Sequence, residues 1–340
     1  MRSFWEQTAW VDADVIIIGA GIIGINTAID ITTRHPEWRV VVLERGVLPS
    51  GASTRNAGFA CVGSLSEIAS DIDLMGSGAA ADLVAQRMRG LTRLRERCAG
   101  ADVGYTEDGG SEIFPEHHES LDRRDEVNGL LEPMFGCELL RLRPDLIEEY
   151  GLRRDLYTLV YTPFEGTLHS GKLIRHLWSL ARQRGVEIHT GTEVMAMQAD
   201  PSGVRLDVRS VRHTVNLRAA RVVVATNAMI PTLLPEADLP EILPGRGQVI
   251  VTEPLPGVRL RGSFHADEGY YYFRALDGDR VLLGGGRNLD FAGERTTSHE
   301  TTTMIQEALE TMLRRDILPD HPSVRIAIRW AGTMAFTEKK

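Results

Sequence analysis

Lysine is nearly absent from this 340-residue sequence: Lys172, Lys339 and Lys340 are the only three, so almost all of its 38 basic residues are arginine. Aromatic residues are sparse at 6%, and the three cysteines, Cys61, Cys98 and Cys137, stand far apart with no C-x-x-C pair. That excludes a disulfide scaffold and a cysteine-held metal, and it fits reduced thiols in a cytoplasmic protein. Positive charge is also in deficit. Against 47 acidic residues the formal net charge is −9, which argues against nucleic acid or an anionic membrane as the main partner. No stretch reaches the ~18 apolar residues of a membrane span. The longest apolar run, Val15 to Ile25, is interrupted by Gly19, Gly21 and Gly24. It follows Asp12 and Asp14 rather than the basic region of a secretory signal. What is present, 43% hydrophobic and 25% charged residues, is an ordinary globular composition, long enough for two sub-domains.

Residues 14–18 (DVIII) form a β-branched run suited to a buried parallel strand. Gly19-Ala-Gly-Ile22-Ile23-Gly24 follows, then helical spacing of Ile25, Ala28, Ile29 and Thr32, and a second buried run at 39–43 ending in Glu44. Strand, glycine turn, helix and strand fall within the length of one βαβ unit. Further on, helices are expected over 82–98, 117–131 and 302–318, and another from a Ser170 cap to about 184. Three alternating runs over 192–217 suggest an antiparallel meander, and 220–225 another buried strand. Strands are expected at 248–253, 270–275, 280–284 and 324–330, with a hairpin turn at Asp277-Gly-Asp279. The pattern predicts an α/β fold: a Rossmann-like nucleotide domain interrupted by an α+β substrate domain with an antiparallel sheet.

The glycine spacing points to a dinucleotide. Gly19 makes the tight turn, Gly21 admits a pyrophosphate to the backbone, and Gly24 lets helix and strand pack closely. The helix N-terminus favours phosphate charge. Glu44, twenty residues past Gly24, is placed to accept hydrogen bonds from a ribose and disfavours a 2′-phosphate, leaving FAD or NAD.

The next stretch, Gly51-Ala52-Ser53-Thr54-Arg55-Asn56-Ala57-Gly58, resembles the flavin loop of the D-amino-acid oxidase-like FAD oxidoreductases. That family includes glycine and sarcosine oxidases, amino-acid dehydrogenases and γ-glutamylputrescine oxidoreductases. Four further stretches resemble it in order: Thr192-Glu-Val194, Ala225-Thr226-Asn227-Ala228, Pro244-Gly-Arg-Gly-Gln248, and Tyr270-Tyr-Tyr272-Phe-Arg274 with Leu283-Gly-Gly-Gly286.

The resemblance implies FAD as cofactor and hydride transfer from a carbon bearing an amine. The substrate is then a small amine or amino acid, and the electron acceptor oxygen, a quinone or a carrier protein. Ser53 and Asn56 are expected near the pyrophosphate or ribityl chain, Arg45 beside the adenosine, Val194 at the adenine, and Ala225 to Asn227 near the pyrophosphate. Ala57 and Gly58 are expected against the flavin ring. Short polar side chains in a turn are the other reading of Ser53 and Asn56. Arg274, sharing a strand face with Tyr270 and Tyr272, is a candidate to position a substrate carboxylate; a structural strand arginine is the alternative. Arg246 and Gln248 form a second candidate wall.

The implied FAD domain comprises residues 1–90, 155–235 and 320–340, and the substrate domain 91–154 and 236–319. The family's closing glycine turn and helix do not follow Trp330-Ala-Gly-Thr-Met334 before Lys340, so the chain is expected to be an incomplete piece whose adenosine side is retained. Oxidation of a 2-hydroxy acid or polyol phosphate, or a non-catalytic flavin-binding remnant, remain the alternatives.

Overall fold

The computed structural model describes residues 3–115, 117–155, 158–210, 213–235 and 239–337. The β-branched run Asp12–Ile18 takes the middle of a six-stranded sheet. Val40–Leu43 lies parallel on one side of it and Glu187–His189 extends the sheet beyond. On the other side runs Thr214–Val224, parallel to Asp12–Ile18 and antiparallel to Gly203–Arg209, which pairs in turn with Glu193–Asp200. The third meander run and the strand expected at 220–225 are thus one strand of 11 residues. Its first half completes the meander and its second half the parallel sheet.

The helix Ile22–Arg34 buries Gly24, Ile25, Ala28, Ile29 and Thr32, the row the sequence spacing picks out. It shares one core with Val15, Ile17, Val40 and Val42 and with Leu173, Ile174, Leu177 and Ala181 of the helix Ser170–Gln183. That second helix is capped by His169, whose Nδ1 accepts the Lys172 N–H at 3.3 Å, rather than by Ser170. On the far face, Ile16, Ile18, Val41 and Leu43 pack on Val194, Leu206 and Val208. Strands buried on both faces explain the unbroken apolar runs.

An eight-stranded sheet forms the other half. Its order is Ile326–Thr337, Ile242–Thr252, Arg280–Gly285, Tyr271–Leu276, Ser263–Ala266, Gly110–Phe114, Thr158–Thr162 and Arg141–Leu142. Only the pair Ser263–Ala266 with Gly110–Phe114 is parallel. Two expected domain boundaries need correction here. Thr158–Thr162 and Ile326–Thr337 hydrogen-bond into this sheet rather than the nucleotide sheet, the latter along its whole length against Ile242–Thr252. The helices Leu65–Met75, Ser77–Arg97 and Arg124–Phe135 instead join the core of the nucleotide half through Leu65, Ile68, Val84, Leu91, Val127 and Leu131. The helix expected over 117–131 is a 3-10 turn, Glu119–Arg123, followed by that last helix, and the one expected over 302–318 is Thr303–Met312 closed by a π turn at Leu313–Ile317. Residues 338–340 lie outside the described residues.

A two-stranded ribbon, Phe59–Ala60 with Gly166–Thr167, bridges the halves. Glu165 is buried beside it, and its Oε1 accepts the N–H groups of Val62 (2.8 Å) and Gly63 (3.2 Å). Burial pushes this carboxyl from 4.5 up to about 7, against the pull of the two backbone donors. Because the folded chain holds the proton more tightly than the unfolded one, Glu165 imposes no penalty below about pH 4.5, and stability declines as pH rises through about 7. Glu165→Gln keeps the acceptor and removes the titration. In urea denaturation followed across that range, the variant should lose less stability with rising pH than the parent; identical pH slopes would show that Glu165 does not titrate there.

Candidate functional site

The turn after Asp12–Ile18 is built by contacts that only glycine permits. Gly19 has φ +104°, and a Cβ on it would meet the Ala225 carbonyl oxygen at 2.5 Å. A Cβ on Gly24 would collide with the Gly19 carbonyl, so the helix Ile22–Arg34 can start only this close to the strand without one. Gly21 is that helix's N-cap and supplies no side-chain cap. The Ile22 N–H donates instead to Ser53 Oγ at 2.9 Å, while Ile23 next to it is exposed. Glu44 clamps the turn from below: Oε2 accepts the Ala20 N–H at 3.0 Å and Oε1 the Gly46 N–H at 2.9 Å. Thr192 N–H donates to the Glu44 carbonyl at 2.8 Å, which brings Val194 alongside, and Arg45 lies 3.9 Å from Glu193 with an exposed side chain. At the end of Thr214–Val224, Ala225 N–H donates to the Ile18 carbonyl at 2.8 Å. Thr226 Oγ1 is buried there without a hydrogen-bond partner among the described residues. Asn227, in the left-handed region at φ +55°, donates its amide to the Thr333 carbonyl at 2.8 Å.

The loop 51–58 follows as a short helix, Ala52–Arg55, entered from Gly51. Asn56 holds the turn at its end: Nδ2 donates to the Ala52 carbonyl (2.9 Å), and Oδ1 accepts from the Gly58 N–H (2.8 Å) and the Ser170 hydroxyl (2.6 Å). Arg55 and the last long strand lock together, Arg55 Nη1 donating to the Ala331 carbonyl at 2.7 Å and Trp330 Nε1 to the Arg55 carbonyl at 2.9 Å. From the other side comes Arg274. It is buried, and its Nη1 donates to the carbonyls of Gly58 (3.1 Å), Leu168 (2.9 Å) and Ala57 (3.4 Å), with Nε on the Ala275 carbonyl (3.0 Å). Nε and Nη1 thus brace the loop, which favours the structural reading of this arginine.

One face of the eight-stranded sheet looks onto this loop. Tyr272 packs with Ala57, Trp330, Val249 and Leu282, and its ring lies across Gly284 with the hydroxyl toward Gly247. His265 is paired directly opposite Tyr272. The Phe59 ring meets both edge-on, at 5.2 Å from His265 and 6.1 Å from Tyr272. Burial lowers the His265 imidazole and pushes the Tyr272 phenol up to about 12, so both are uncharged near neutral pH. Tyr270 sits at the strand entrance, 5.7 Å from the Phe291 ring.

Arg246 and Gln248 point to the opposite face. Arg246 forms a buried bidentate pair with Glu294 (2.6 and 2.8 Å), and Gln248 bonds Glu294, Thr302 and Gln306. Their alternation with Gly245 and Gly247 put them on a wall, but on the one that packs against Thr303–Met312.

Sequence reasoning missed His265, Phe59 and Arg287. The first two carry no local signature; Arg287 directly follows the run Gly284-Gly285-Gly286, which was the available signal. Cys61 is a free thiol pushed up by burial and by Glu165. A cavity of about 420 Å³ opens elsewhere, lined by Leu94, Cys98, Val103 and Tyr105, and shares with the residues above only Leu168. Among the described residues there is no cluster of metal-ligating side chains, and no helix is long and apolar enough to cross a membrane.

A glycine oxidase of Geobacillus kaustophilus (strain HTA426) is 26% identical over 338 residues, 96% of this chain and 82% of that protein. A probable oxidoreductase OrdL of Haemophilus influenzae is 25% identical over 336 residues, covering 96% of this chain and 74% of that one. The crystal structure of the G. kaustophilus glycine oxidase has a TM-score of 0.76 at 23% identity over 96% of this chain and 84% of that one. An L-amino acid deaminase from Proteus vulgaris has a TM-score of 0.74 at 20% identity over 96% and 79%, which likewise marks a common fold. The model of the family described as FAD dependent oxidoreductase, DAO, matches residues 14–339, so the chain belongs to the DAO family of FAD-dependent oxidoreductases.

Proposed function

We propose that this chain oxidises the C–N bond of an amine or amino acid with FAD as the redox group. The observation that carries the reading is the loop 51–58, held between the glycine turn and an uncharged aromatic sheet face of Phe59, His265 and Tyr272. The names of its relatives, a glycine oxidase and an L-amino acid deaminase, support an amine-bearing substrate over a hydroxy acid.

The residues fit the cofactor. Thr226 Oγ1 is a buried hydroxyl without a partner beside the turn, and the space over Gly21 is one that a Cβ, 2.9 Å from Ser53 Oγ, would fill. Gly19, Gly21, Ile22, Ile23 and Gly24 would present backbone to the pyrophosphate, with Ser53, Ala225, Thr226 and Asn227 around it. Glu44, Arg45 and Val194 would hold the adenosine, and Gly51, Ala52, Asn56, Ala57 and Gly58 the ribityl and ring side. FAD bound there supplies the hydride acceptor. The chain's own part is to position the substrate: Tyr272 and Phe59 form an apolar wall that excludes water, and His265 adds a neutral polar edge. Three unpaired thiols support a cytoplasmic setting.

Ligand released from the purified protein and separated by reversed-phase chromatography should be FAD, and anaerobic addition of amines or amino acids should bleach it. Gly21→Val should abolish binding; recovery of NAD or FMN alone, or bleaching by hydroxy acids only, would overturn the reading. Oxygen consumption against dye reduction then identifies the class of acceptor.

Arg274 gives a separate check. Arg274→Met removes charge-assisted bonds to carbonyls, each worth about 1.5–3 kcal/mol, and frees the loop. FAD affinity should fall by at least about tenfold, equivalent to ~1.4 kcal/mol, and turnover of acids and neutral amines should fall alike. A loss confined to acids, with FAD affinity intact, would return Arg274 to the role of carboxylate anchor.

A further inference from the structure

Two neighbouring rows of the eight-stranded sheet lead from the aromatic face into a buried polar cavity. Strand pairing sets Tyr272 beside His265, His265 beside Glu112, and Glu112 beside Val160. Two residues along, Arg274, Ser263, Gly110 and Thr162 stand side by side on the same face. Adjacent strands are about 4.8 Å apart, so His265 lies one strand from Tyr272 and one from Glu112. Glu112 is buried, with Oε2 accepting the Ser66 N–H at 3.0 Å and Oε1 the Ser66 hydroxyl. Glu165 reaches in from outside the sheet, and its Oε2 fills the space that a Cβ on Gly110 would take. Ser263 Oγ, 3.1 Å from that same Cβ position, is fully buried and has no hydrogen-bond partner among the described residues. The cavity they enclose measures about 10 Å³ and is lined by Ser64, Gly110, Glu112, Thr162, Glu165 and His265. That is room for about one water, with the several polar neighbours that a buried water needs.

The charges around this cavity are arranged to move a proton inward. Burial holds the His265 imidazole neutral, and Glu67, the acid that opposes this, is paired with Arg87 at 2.7 Å. Burial also raises both buried carboxyls to about 7, Glu112 against the Ser66 donors and Glu165 against the Val62 and Gly63 amides. Cys61 stays a thiol and Tyr272 a phenol, and Arg274, across Ser263, is held by the Gly58 and Leu168 carbonyls. His265 is only half-buried and borders the Tyr272–Phe59 wall, whereas both glutamates are fully enclosed. An imidazolium formed here is poorly solvated. A proton arriving on it is therefore driven on to a carboxylate, whose buried charge it neutralises.

Breaking a C–H bond next to nitrogen draws on the nitrogen lone pair, and an ammonium has none to give. Resting on the proposed C–N oxidation, we infer that His265 takes the proton of the substrate ammonium and passes it through this cavity to Glu112 and Glu165. One N–H bond breaks and its electron pair stays on nitrogen. The proton bonds to the imidazole and moves over one water to a carboxylate oxygen, from which it later returns to solvent. The neutral amine left behind supplies the pair that forms C=N as the hydride leaves carbon. His265 is the catalytic residue of this step, and the two glutamates are positioning residues that draw the proton away.

The test uses the FAD-loaded protein and follows kcat/KM for an oxidised amine across pH. His265→Gln should lower it by at least about tenfold near pH 7, within the range of a lost general base. The deficit should shrink to below about threefold near pH 10, where amines in solution are already neutral. FAD affinity should be unchanged. A second readout needs no turnover: infrared difference spectra on binding 2-aminoisobutyrate or tert-butylamine, which have no hydrogen to transfer. The parent should gain the carbonyl stretch of a newly protonated carboxyl, and Glu112→Gln and Glu165→Gln should each diminish it. Where neither probe perturbs the flavin absorbance, the pH profile decides alone. A deficit of equal size at every pH, or probe binding without that band, would overturn the proposal and leave the C–N reading standing. If no amine or amino acid bleaches the parent's flavin at any pH, the C–N reading itself falls, and this proposal with it.

Discussion

The architecture turns on a single buried guanidinium. Arg274 comes from the middle of the substrate sheet, and one nitrogen reaches carbonyls on two separate segments of the nucleotide half, Ala57–Gly58 and Leu168. Backbone carbonyls in such a place need donors, because an unpaired buried acceptor costs about 1–3 kcal/mol. A carboxylate competing for the same nitrogen would have to displace three of them. The arrangement therefore favours a rigid loop over a substrate contact, and the loop it holds is the one that carries Ser53 to the start of the glycine-turn helix.

The same chemistry recurs across the chain and gives the scarcity of lysine a physical meaning. Arg55 donates to Ser50 and Ala331, Arg87 to Val62, Arg123 to Ala69, Arg280 to Thr252 and Arg314 to Val324, all at main-chain carbonyls. A planar fork with five donors serves two acceptors at fixed angles, which a rotating ammonium does not. Arginine here joins segments distant in sequence, and the excess acidic charge of the composition coexists with a largely paired interior.

What was legible in the sequence was local. The turn at Gly19 to Gly24 announces itself because the steric demand on each glycine comes from residues at fixed offsets, and Glu44 sits where the second strand must end. Alternation put Tyr272 and Arg274 on one face correctly, and put Arg246 and Gln248 on a shared face without saying which. The partners of those faces were not legible, since Leu168 is 106 residues from Arg274 and Glu294 is 48 from Arg246. The domain boundaries failed for the same reason. Thr158–Thr162 and Ile326–Thr337 look like any strand, and their membership of the substrate sheet is set by pairing with strands far away in the chain.

The long pairing of Ile326–Thr337 with Ile242–Thr252 also explains how the two halves stay in register. Gly332 lies against Arg55, Trp330 donates to the Arg55 carbonyl, and the Thr333 carbonyl receives Asn227, so one strand touches both the loop 51–58 and the turn after Thr214–Val224. Its next front-face residues, Met334 and Phe336, cover Gly247 and Gly245. Along a single strand, then, the contacts pass from the loop 51–58 to the aromatic face and on to the stacked Arg287. A shift of two residues in this register would move Trp330 off Arg55 and Phe336 off Arg287 together, so the geometry of the loop and the stacking of Arg287 on Phe336 are fixed by the same ladder of hydrogen bonds.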